Sequence, residues 1–156
     1  MAEKSRMTVQ IDAELSLVPY YPCEETTLAW YQDKQLCKQV DCCEDLYDPE
    51  KLRRMYDYLN SHGELFYIQD RGILCGDVCL QASGELSIVV CREYQNRHIG
   101  RRVITAMLEL AKQKGLTECF AEVYSFNTQS QRMFETVGFV RTGEERYVYA
   151  FQGSAD

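Results

Sequence analysis

Hydrophobic and polar positions alternate along this chain with two different periods, and the period changes from segment to segment. A period near two, bounded by turn residues, predicts strands at 8–18, 64–69, 73–81, 85–91 and 117–124 and a last hairpin at 139–151. A period of 3.6 predicts helices at 24–37, 48–62, 99–112 and 127–136. The predicted order of elements is therefore β-α-α-β-β-β-α-β-α-β-β.

Two of the predicted helices carry boundary signals. Asp48 followed by Pro49 is typical of a helix start, and Gly63 marks the end of that helix. Asn127 is a capping residue at the start of the last helix, and Gly138 ends it. These signals fix the positions of both helices independently of their hydrophobic pattern.

The segment 85–124 is predicted as strand, helix and strand, which gives a parallel pair joined by a crossover helix. The other predicted strands follow one another through short turns, as antiparallel neighbours do. We therefore expect an α+β fold with a mixed, mostly antiparallel sheet, one parallel strand pair and flanking helices. The length of 156 residues suits a single domain over residues 1–156.

The charge balance limits the partners. Seventeen Lys and Arg stand against 24 Asp and Glu, a net charge of −7. This balance disfavours binding to nucleic acid or to an anionic membrane and favours a cationic substrate. No apolar run reaches the roughly 18 residues of a membrane span, and the N-terminal segment lacks the apolar stretch of an export signal. We expect a cytoplasmic protein.

Eight cysteines raise the question of disulfides or a metal site. No Cys-x-x-Cys pair occurs, and the two histidines lie far from the cysteines in sequence. In a reducing compartment such residues are small hydrophobic side chains with free thiols. We therefore expect mostly buried free cysteines and no bound metal.

A basic segment leads from the strand at 85–91 into the helix that begins near Ile99. Residues 92–102 hold four Arg and one Glu, a net charge of +3 in an acidic chain. A helix start presents unpaired backbone N–H groups and partial positive charge, and Gly100 allows close approach. The pattern predicts an anion site, and the alternative is a solvated basic helix start.

Two linked motifs resemble the GNAT N-acetyltransferases. The run Gln95-Asn96-Arg97-His98-Ile99-Gly100 after an apolar strand is similar to the family's Gln-x-x-Gly-x-Gly loop for the acyl-CoA pyrophosphate. Residues 121–139 resemble the family's strand, Asn-capped helix and terminal Gly-Phe. Within them, Glu122, Asn127 and Phe134 fall at the spacings of ribosomal-protein N-terminal acetyltransferases. The resemblance covers about residues 64–150.

The resemblance implies the GNAT acyl-CoA N-acyltransferase fold, in which the two parallel strands splay apart and acetyl-CoA enters the gap. The strand backbone would then pair with the pantetheine amides at Ile88, Val89 and Val90. The pyrophosphate would be held by the loop and helix start, which comprise Gln95, Asn96, Arg97, His98, Ile99, Gly100 and Arg101. Asn127 would cap its helix, bind pantetheine or do both, and Phe134 would line the cofactor site.

The sequence departs from the family pattern at the first loop glycine, where it has His98. Histidine is among the non-glycine residues enriched at positive φ, so it can occupy a position that favours glycine. Three roles are open for it: a tolerated loop residue, a hydrogen-bond donor to phosphate, or a catalytic base.

Acetyl transfer to an amine needs a base for the ammonium proton and an acid for the leaving thiolate. Glu122 is the candidate base, with its carboxylate expected among Phe120 and Tyr124, where burial makes a carboxylate a better proton acceptor. The alternative for Glu122 is a solvated or ion-paired strand residue. The family often has an acid at the position of Phe134, and phenylalanine has no proton to give. The substitutes are Tyr124, Tyr147, Tyr149 or water.

The amine acceptor should lie against the first helices, where residues 24–50 carry eight acids and two bases. Trp30, Tyr31 and Asp33 resemble a helix segment that walls the acceptor site in related acetyltransferases, and the alternative is a core role for Trp30. Polyamines, aminoglycosides, amino acids and peptide N-termini are all open as acceptors. A non-catalytic acyl-CoA-binding or regulatory module is the alternative function, and a monomer and a homodimer are both open.

Overall fold

The structure is a computed structural model, and it describes residues 7–152. Its strands are β1 (Val9–Gln10), β2 (Leu15–Pro19), β3 (Gly63–Asp70), β4 (Ile73–Gln81), β5 (Leu86–Val90), β6 (Glu118–Glu122), β7 (Val140–Arg141) and β8 (Arg146–Ala150). Its α-helices are α1 (Glu24–Thr27), α2 (Lys34–Asp41), α3 (Pro49–His62), α4 (Ile99–Gln113) and α5 (Thr128–Val137). Short 3₁₀ turns cover Leu28–Gln32 and Arg92–Tyr94. The predicted α+β class is confirmed.

The strands form two antiparallel sheets that meet at one point. Strands β1 to β5 follow one another in chain order, and β8 lies between β6 and β7 in the second sheet. Between β5 and β6 the structure has one parallel bridge, Glu85 with Phe120, where the Phe120 N–H donates to the Gly84 carbonyl at 3.0 Å. Beyond this bridge the two strands diverge, so the contact between the predicted parallel strands is this one bridge, and the expected mixed sheet is divided into two antiparallel sheets.

Two predicted elements are divided in the structure. The predicted strand 8–18 is a hairpin of β1 and β2, because the Asp12 carboxylate accepts hydrogen bonds from the N–H groups of Glu14 and Leu15 and turns the chain. The predicted helix 24–37 is α1, a 3₁₀ turn and α2. Asp33 causes the break, because its extended backbone ends the 3₁₀ turn while its side chain caps α2 at the Leu36 N–H.

The predicted boundaries of α3 and α5 are confirmed. The Asp48 carboxylate accepts from the Lys51 N–H at 2.7 Å, and Pro49 opens α3. The Asn127 side chain accepts from the Ser130 N–H at 3.2 Å, and Gly138 ends α5 with φ of 124°. Capping residues thus satisfy N–H groups that would otherwise have no partner.

The helices α3 and α4 cover opposite faces of the first sheet. Neighbouring residues of β5 point to opposite faces, as Ile88 and Val89 do. Tyr56 of α3 donates a hydrogen bond to Asp77, the β4 partner of Val89, so α3 covers the face to which Val89 points. Gly100 of α4 lies on the other face, because a Cβ there would be 4.0 Å from the Ile88 side chain. The sheet is therefore covered on both faces. Its edge strand β5 has no neighbouring strand along the part from which β6 turns away.

A buried carboxylate lies under α3. Asp77 of β4 is 3% exposed and accepts hydrogen bonds from the hydroxyl groups of Tyr31 at 2.6 Å and Tyr56 at 2.9 Å. Burial raises the pKa of Asp77 to about 6, although the two tyrosine hydrogen bonds oppose that rise. The same burial raises the pKa of both tyrosines, so they remain donors.

This carboxylate makes the stability of the fold depend on pH. Because the pKa of Asp77 is raised from 3.8 to about 6, its protonated form stabilises the folded state. This contribution to the free energy of unfolding is fully present below about pH 4 and is lost as the pH rises through 6. The loss amounts to about 3 kcal/mol. Asp77→Asn cannot titrate, so the free energy of unfolding of wild type should fall by that amount relative to the variant between pH 4 and pH 7. Urea denaturation across this range checks it, and a difference independent of pH would contradict it.

Six of the eight thiols are buried, namely Cys23, Cys37, Cys75, Cys79, Cys91 and Cys119, as expected for small core residues. Cys42 is exposed and Cys43 partly so, and all eight are free. Within residues 7–152 no three metal-ligating side chains converge. In that same part of the chain no helix has the length and apolar character needed to cross a bilayer.

Candidate active site

A cleft of about 610 Å³ opens where β5 and β6 diverge. One wall is β5 with the loop and first turn that lead into α4, and the opposite wall is the end of β6 with α5. Gln39 and Val40 of α2 close a third side. This volume lies in the range of small-molecule sites.

The β5 wall offers an open strand edge. Ile88, Val89 and Val90 line the cleft and are half-buried, and on their other side they pair with Val78, Asp77 and Gly76 of β4. Because β6 has already turned away, the outer edge of β5 has polar backbone groups without a neighbouring strand. An extended ligand with amide groups can pair with such an edge.

The loop before α4 turns through two left-handed residues. Asn96 has φ of 66° and His98 has φ of 61°, so His98 adopts the conformation that glycine favours at this position, as expected for a tolerated substitution. No side chain caps α4 at His98. The N–H groups of Ile99, Gly100 and Arg101 have no acceptor within residues 7–152 and therefore form a site of partial positive charge.

Basic side chains surround this helix start. The Arg97 guanidinium lies 4.9 Å from the centre of the Tyr94 ring, and Arg101 lines the cleft. Neither arginine forms an ion pair with another described residue. Both charges are thus available to an anion at the mouth of the cleft.

Gln95 supports the loop as well as lining the cleft. Its side-chain amide donates to the Val90 carbonyl at 2.9 Å and to Gln39 Oε1 at 3.2 Å. The residue therefore ties the loop to the end of β5 and to α2. The sequence predicted Gln95 as a cofactor contact, and these two bonds show a further supporting role.

The α5 wall presents polar groups near its start. Asn127 uses its side-chain oxygen as the cap, and its amide NH₂ has no acceptor among the described residues, so it can donate into the cleft. Gln129 donates to Asn96 Oδ1 at 3.0 Å and thereby joins α5 to the loop across the cleft mouth. Both roles that the sequence left open for Asn127 are compatible with this geometry.

Phe134 gives the cleft an apolar wall further along α5. It is 3% exposed and packs edge-on against Phe139 with ring centres 4.9 Å apart. Of the three tyrosines considered as acids, Tyr124 alone lines the cleft, while Tyr147 is fully buried in the core. Burial raises the pKa of Tyr124, and the nearby charges of Cys42, Asp41 and Glu145 raise it further.

Glu122 lines the cleft but is not buried as predicted. Its side chain is 52% exposed, and it accepts a hydrogen bond from Arg146 at 3.2 Å. The reason is the alternation of β6, which directs Ala121 and Val123 into the core and Glu122 to the other face. The ion-paired alternative describes the environment of Glu122 correctly, and its half-exposed carboxylate is drawn toward Arg146 of β8.

The predicted acceptor residues do not line this cleft. Trp30 is 9% exposed and packs edge-on against Tyr67, and the hydroxyl of the fully buried Tyr31 bonds Asp77. Asp33 caps α2 and pairs with Arg92 at 3.2 Å. The 3₁₀ turn directs both aromatic rings toward the sheet, which is the core role left open for Trp30, and an acceptor role for Trp30, Tyr31 and Asp33 stays a prediction.

Some cleft residues were missed from the sequence. Ser130 and Met133 follow Asn127 at intervals of three residues, so the three side chains share one face of α5. This spacing could have identified Ser130 and Met133 as cleft residues. Gln39 and Val40 lie beyond the predicted end of their helix, and only tertiary packing brings α2 to the cleft. No local signal marks them.

The class of protein follows from the family that the sequence matches, and the fold agrees with it. The sequence profile described as "Acetyltransferase (GNAT) family" matches residues 25–139. The chain therefore belongs to the GNAT acetyltransferase family, whose reaction is acetyl transfer from acetyl-CoA to an amine. A comparison with curated protein sequences gives no significant match.

Solved structures show the same fold at low sequence identity. A GNAT family acetyltransferase from Bacillus anthracis has a TM-score of 0.77 and 19% identity over 93% of this chain and 98% of that one. The spermidine N-acetyltransferase from Vibrio cholerae, in complex with CoA and spermine, has 0.74 and 16% over 89% and 96%. An acetyltransferase from Salmonella typhimurium, which modifies the N-terminal serine of ribosomal protein L7/L12, has 0.74 and 10% over 94% and 100%.

Proposed function

We propose that this protein transfers the acetyl group of acetyl-CoA to a primary amine of a small molecule or peptide by direct attack, with Glu122 as the base. The observation that carries the proposal is a single cleft with two chemically different regions. The unpaired N–H groups at the start of α4 lie at one of them, and the half-exposed Glu122 lies at the other.

The loop side of the cleft fits a diphosphate and an amide-containing arm. The N–H groups of residues 99–101 with Arg97 and Arg101 would hold the pyrophosphate, since oriented backbone donors and nearby guanidinium groups bind phosphate oxygens well. The open edge of β5 would pair with the pantetheine amides, and the free amide of Asn127 would donate to the same arm. Bound in this way, acetyl-CoA supplies a thioester to the acceptor amine.

Glu122 and Tyr124 would carry out the two proton transfers. Glu122 would take the proton of the acceptor ammonium, because only the neutral amine attacks a carbonyl carbon. Tyr124 would donate to the leaving thiolate, since it lines the cleft and holds its proton. Asp41 and Glu145 favour the protonated form of Tyr124, because their negative charges raise its pKa.

The apolar wall at Phe134 leads to a prediction about the acid. Phe134→Tyr adds one oxygen beside the cleft and removes no packing, so we expect normal folding and an acetyl-transfer rate at least equal to that of wild type. The gain is small, because a thiol with a pKa near 8.5 leaves readily without an acid. Steady-state kinetics check this. A tenfold loss of kcat with unchanged acetyl-CoA affinity would show that the ring does not face the thioester.

The proposed function is tested by a mass-spectrometric acetylation assay. The full chain is incubated with acetyl-CoA and a panel of polyamines, aminoglycosides, amino acids and peptides, with Glu122→Gln as the matched control. We expect a mass increase of one acetyl group on at least one amine, which is strongly reduced with the variant. Binding of acetyl-CoA without transfer to any amine would favour the non-catalytic module instead.

A further inference from the structure

The arginines of this chain fall into two groups. Seven of the ten that lie in residues 7–152 donate to a carboxylate or to a backbone carbonyl. Arg97, Arg101 and Arg132 form no ion pair and no side-chain hydrogen bond within those residues. Arg101 and Arg132 line the cleft, and Arg97 lies between two residues that line it, Asn96 and His98. In the part of the chain that the structure describes, arginines without a hydrogen-bonded partner therefore occur only at the cleft.

Arg132 lies on the wall opposite the other two arginines. It follows Gln129 by three positions on α5 and adjoins Met133, so these three side chains share one face of the helix. Gln129 donates to Asn96 Oδ1 at 3.0 Å, and a Cβ at Gly100 would lie 3.5 Å from the Met133 side chain. This face of α5 is therefore turned toward the loop and the first turn of α4. Arg132 is exposed on it, at the mouth of the cleft.

The negative charge of CoA exceeds what the loop wall can match. Each phosphate of the diphosphate carries one negative charge, and Arg97 and Arg101 with the N–H groups of α4 match this pair. The 3′-phosphate is a monoester that adds about −1.5 to −2 at neutral pH, one sugar ring away from the diphosphate. Arg102 cannot serve it, because its guanidinium is bound to Asp12 at 2.9 Å and to Glu14 at 3.2 Å. A further unpaired cation is needed at the cleft mouth.

We propose that Arg132 binds the 3′-phosphate of CoA and thereby makes the protein select CoA over dephospho-CoA, which lacks that phosphate. The planar guanidinium presents paired N–H donors that fit two phosphate oxygens at once. The inference rests on the proposed function, because it places acetyl-CoA in the cleft. The loop wall recognises the diphosphate, which both cofactors carry, so the discrimination belongs to the α5 wall. Arg132 takes no part in the chemistry at the thioester.

The first test compares acetyl-CoA with acetyl-dephospho-CoA by calorimetry on the full chain. Wild type should bind acetyl-CoA about tenfold more tightly, since one exposed charge-assisted contact is added. Arg132→Gln should weaken acetyl-CoA binding about tenfold and leave acetyl-dephospho-CoA binding unchanged, so that the two affinities become equal. Arg97→Ala should instead weaken both cofactors by the same factor. Arg54→Gln is the matched control, because it removes an exposed arginine of α3 outside the cleft, and it should change neither affinity.

The second test observes the contact in the wild-type chain by ¹⁵N NMR of the arginine Nε–H groups. The signal of Arg132 is assigned by its loss in Arg132→Gln, and that of Arg97 by its loss in Arg97→Ala. Acetyl-CoA should shift both signals. Acetyl-dephospho-CoA should shift the Arg97 signal and leave the Arg132 signal in place. A shift of the Arg132 signal by the same amount with both cofactors overturns the assignment.

The outcomes distinguish this inference from the proposed function. If wild type binds neither cofactor, both are overturned. Equal affinity of wild type for the two cofactors, or an unchanged ratio in Arg132→Gln, overturns only the role of Arg132. An equal loss of both cofactors in Arg132→Gln also overturns it, since Arg132 would then hold the diphosphate. Discrimination that depends on Arg132, without acetyl transfer to any amine, overturns the transfer reaction and supports the role of Arg132 in binding.

Discussion

Glu122→Gln is expected to lower kcat/KM for the amine acceptor about 10²-fold to 10⁴-fold at neutral pH, with no change in acetyl-CoA affinity. The amide has the shape of the carboxylate and still accepts a hydrogen bond from Arg146, so the strand pairing of β6 with β8 is kept. It cannot take a proton from the acceptor. Initial rates by mass spectrometry and calorimetric titration with acetyl-CoA measure the two quantities separately.

A matched control for this substitution is Glu118→Gln, at the other end of β6 and outside the cleft. It should leave both rate and affinity unchanged. A Glu122→Gln enzyme with wild-type kcat/KM would show that another group takes the proton, and Tyr124 or water would be the next candidate. A loss of acetyl-CoA affinity would instead mean that Glu122 supports the cofactor side of the cleft.

Gly100→Val should reduce acetyl-CoA affinity more than any single arginine substitution at the loop. A Cβ at Gly100 would lie 3.5 Å from the Met133 side chain, which is ordinary contact, so the free protein tolerates it. The two further methyl groups occupy space that the cofactor needs beside the helix start. We expect affinity to fall about 100-fold, compared with about tenfold for Arg97→Ala, which removes one exposed charge-assisted contact.

The control for Gly100→Val is Thr105→Val, which places the same side chain on the exposed face of α4 away from the cleft. It should bind acetyl-CoA as wild type does. Calorimetry gives the affinities, and thermal unfolding confirms that the variants are folded. Wild-type affinity in both Gly100→Val and Arg97→Ala would contradict the assignment of the pyrophosphate to this loop.

Local signals were sufficient for most of the fold. Asp48 with Pro49, and Asn127 with Gly138, mark helix ends through capping bonds between residues near in sequence, and the structure confirms them. The unpaired N–H groups at the start of α4 were equally predictable, because the first turn of every helix has N–H groups without an intrahelical partner. The left-handed conformation of His98 was expected from the family's glycine at this position, together with the tolerance of histidine for positive φ.

The residues of the acceptor site could not be predicted from local sequence signals. Trp30 and Tyr31 have the composition of a binding wall, yet burial against Tyr67 and Asp77 places them in the core. That outcome depends on the break at Asp33 and on contacts with residues more than 30 positions away, which no local pattern encodes. The ion pair of Glu122 has the same origin, since its partner Arg146 comes from β8.

Whether acetyl-CoA occupies the cleft between β5 and β6 is tested most directly by an amide NMR titration of the full chain with acetyl-CoA. We expect the largest shift changes at residues 88–90 and 96–101, with smaller changes at Asn127, and their loss in Gly100→Val. Absence of binding at millimolar acetyl-CoA, or shift changes confined to residues outside the cleft, would contradict it.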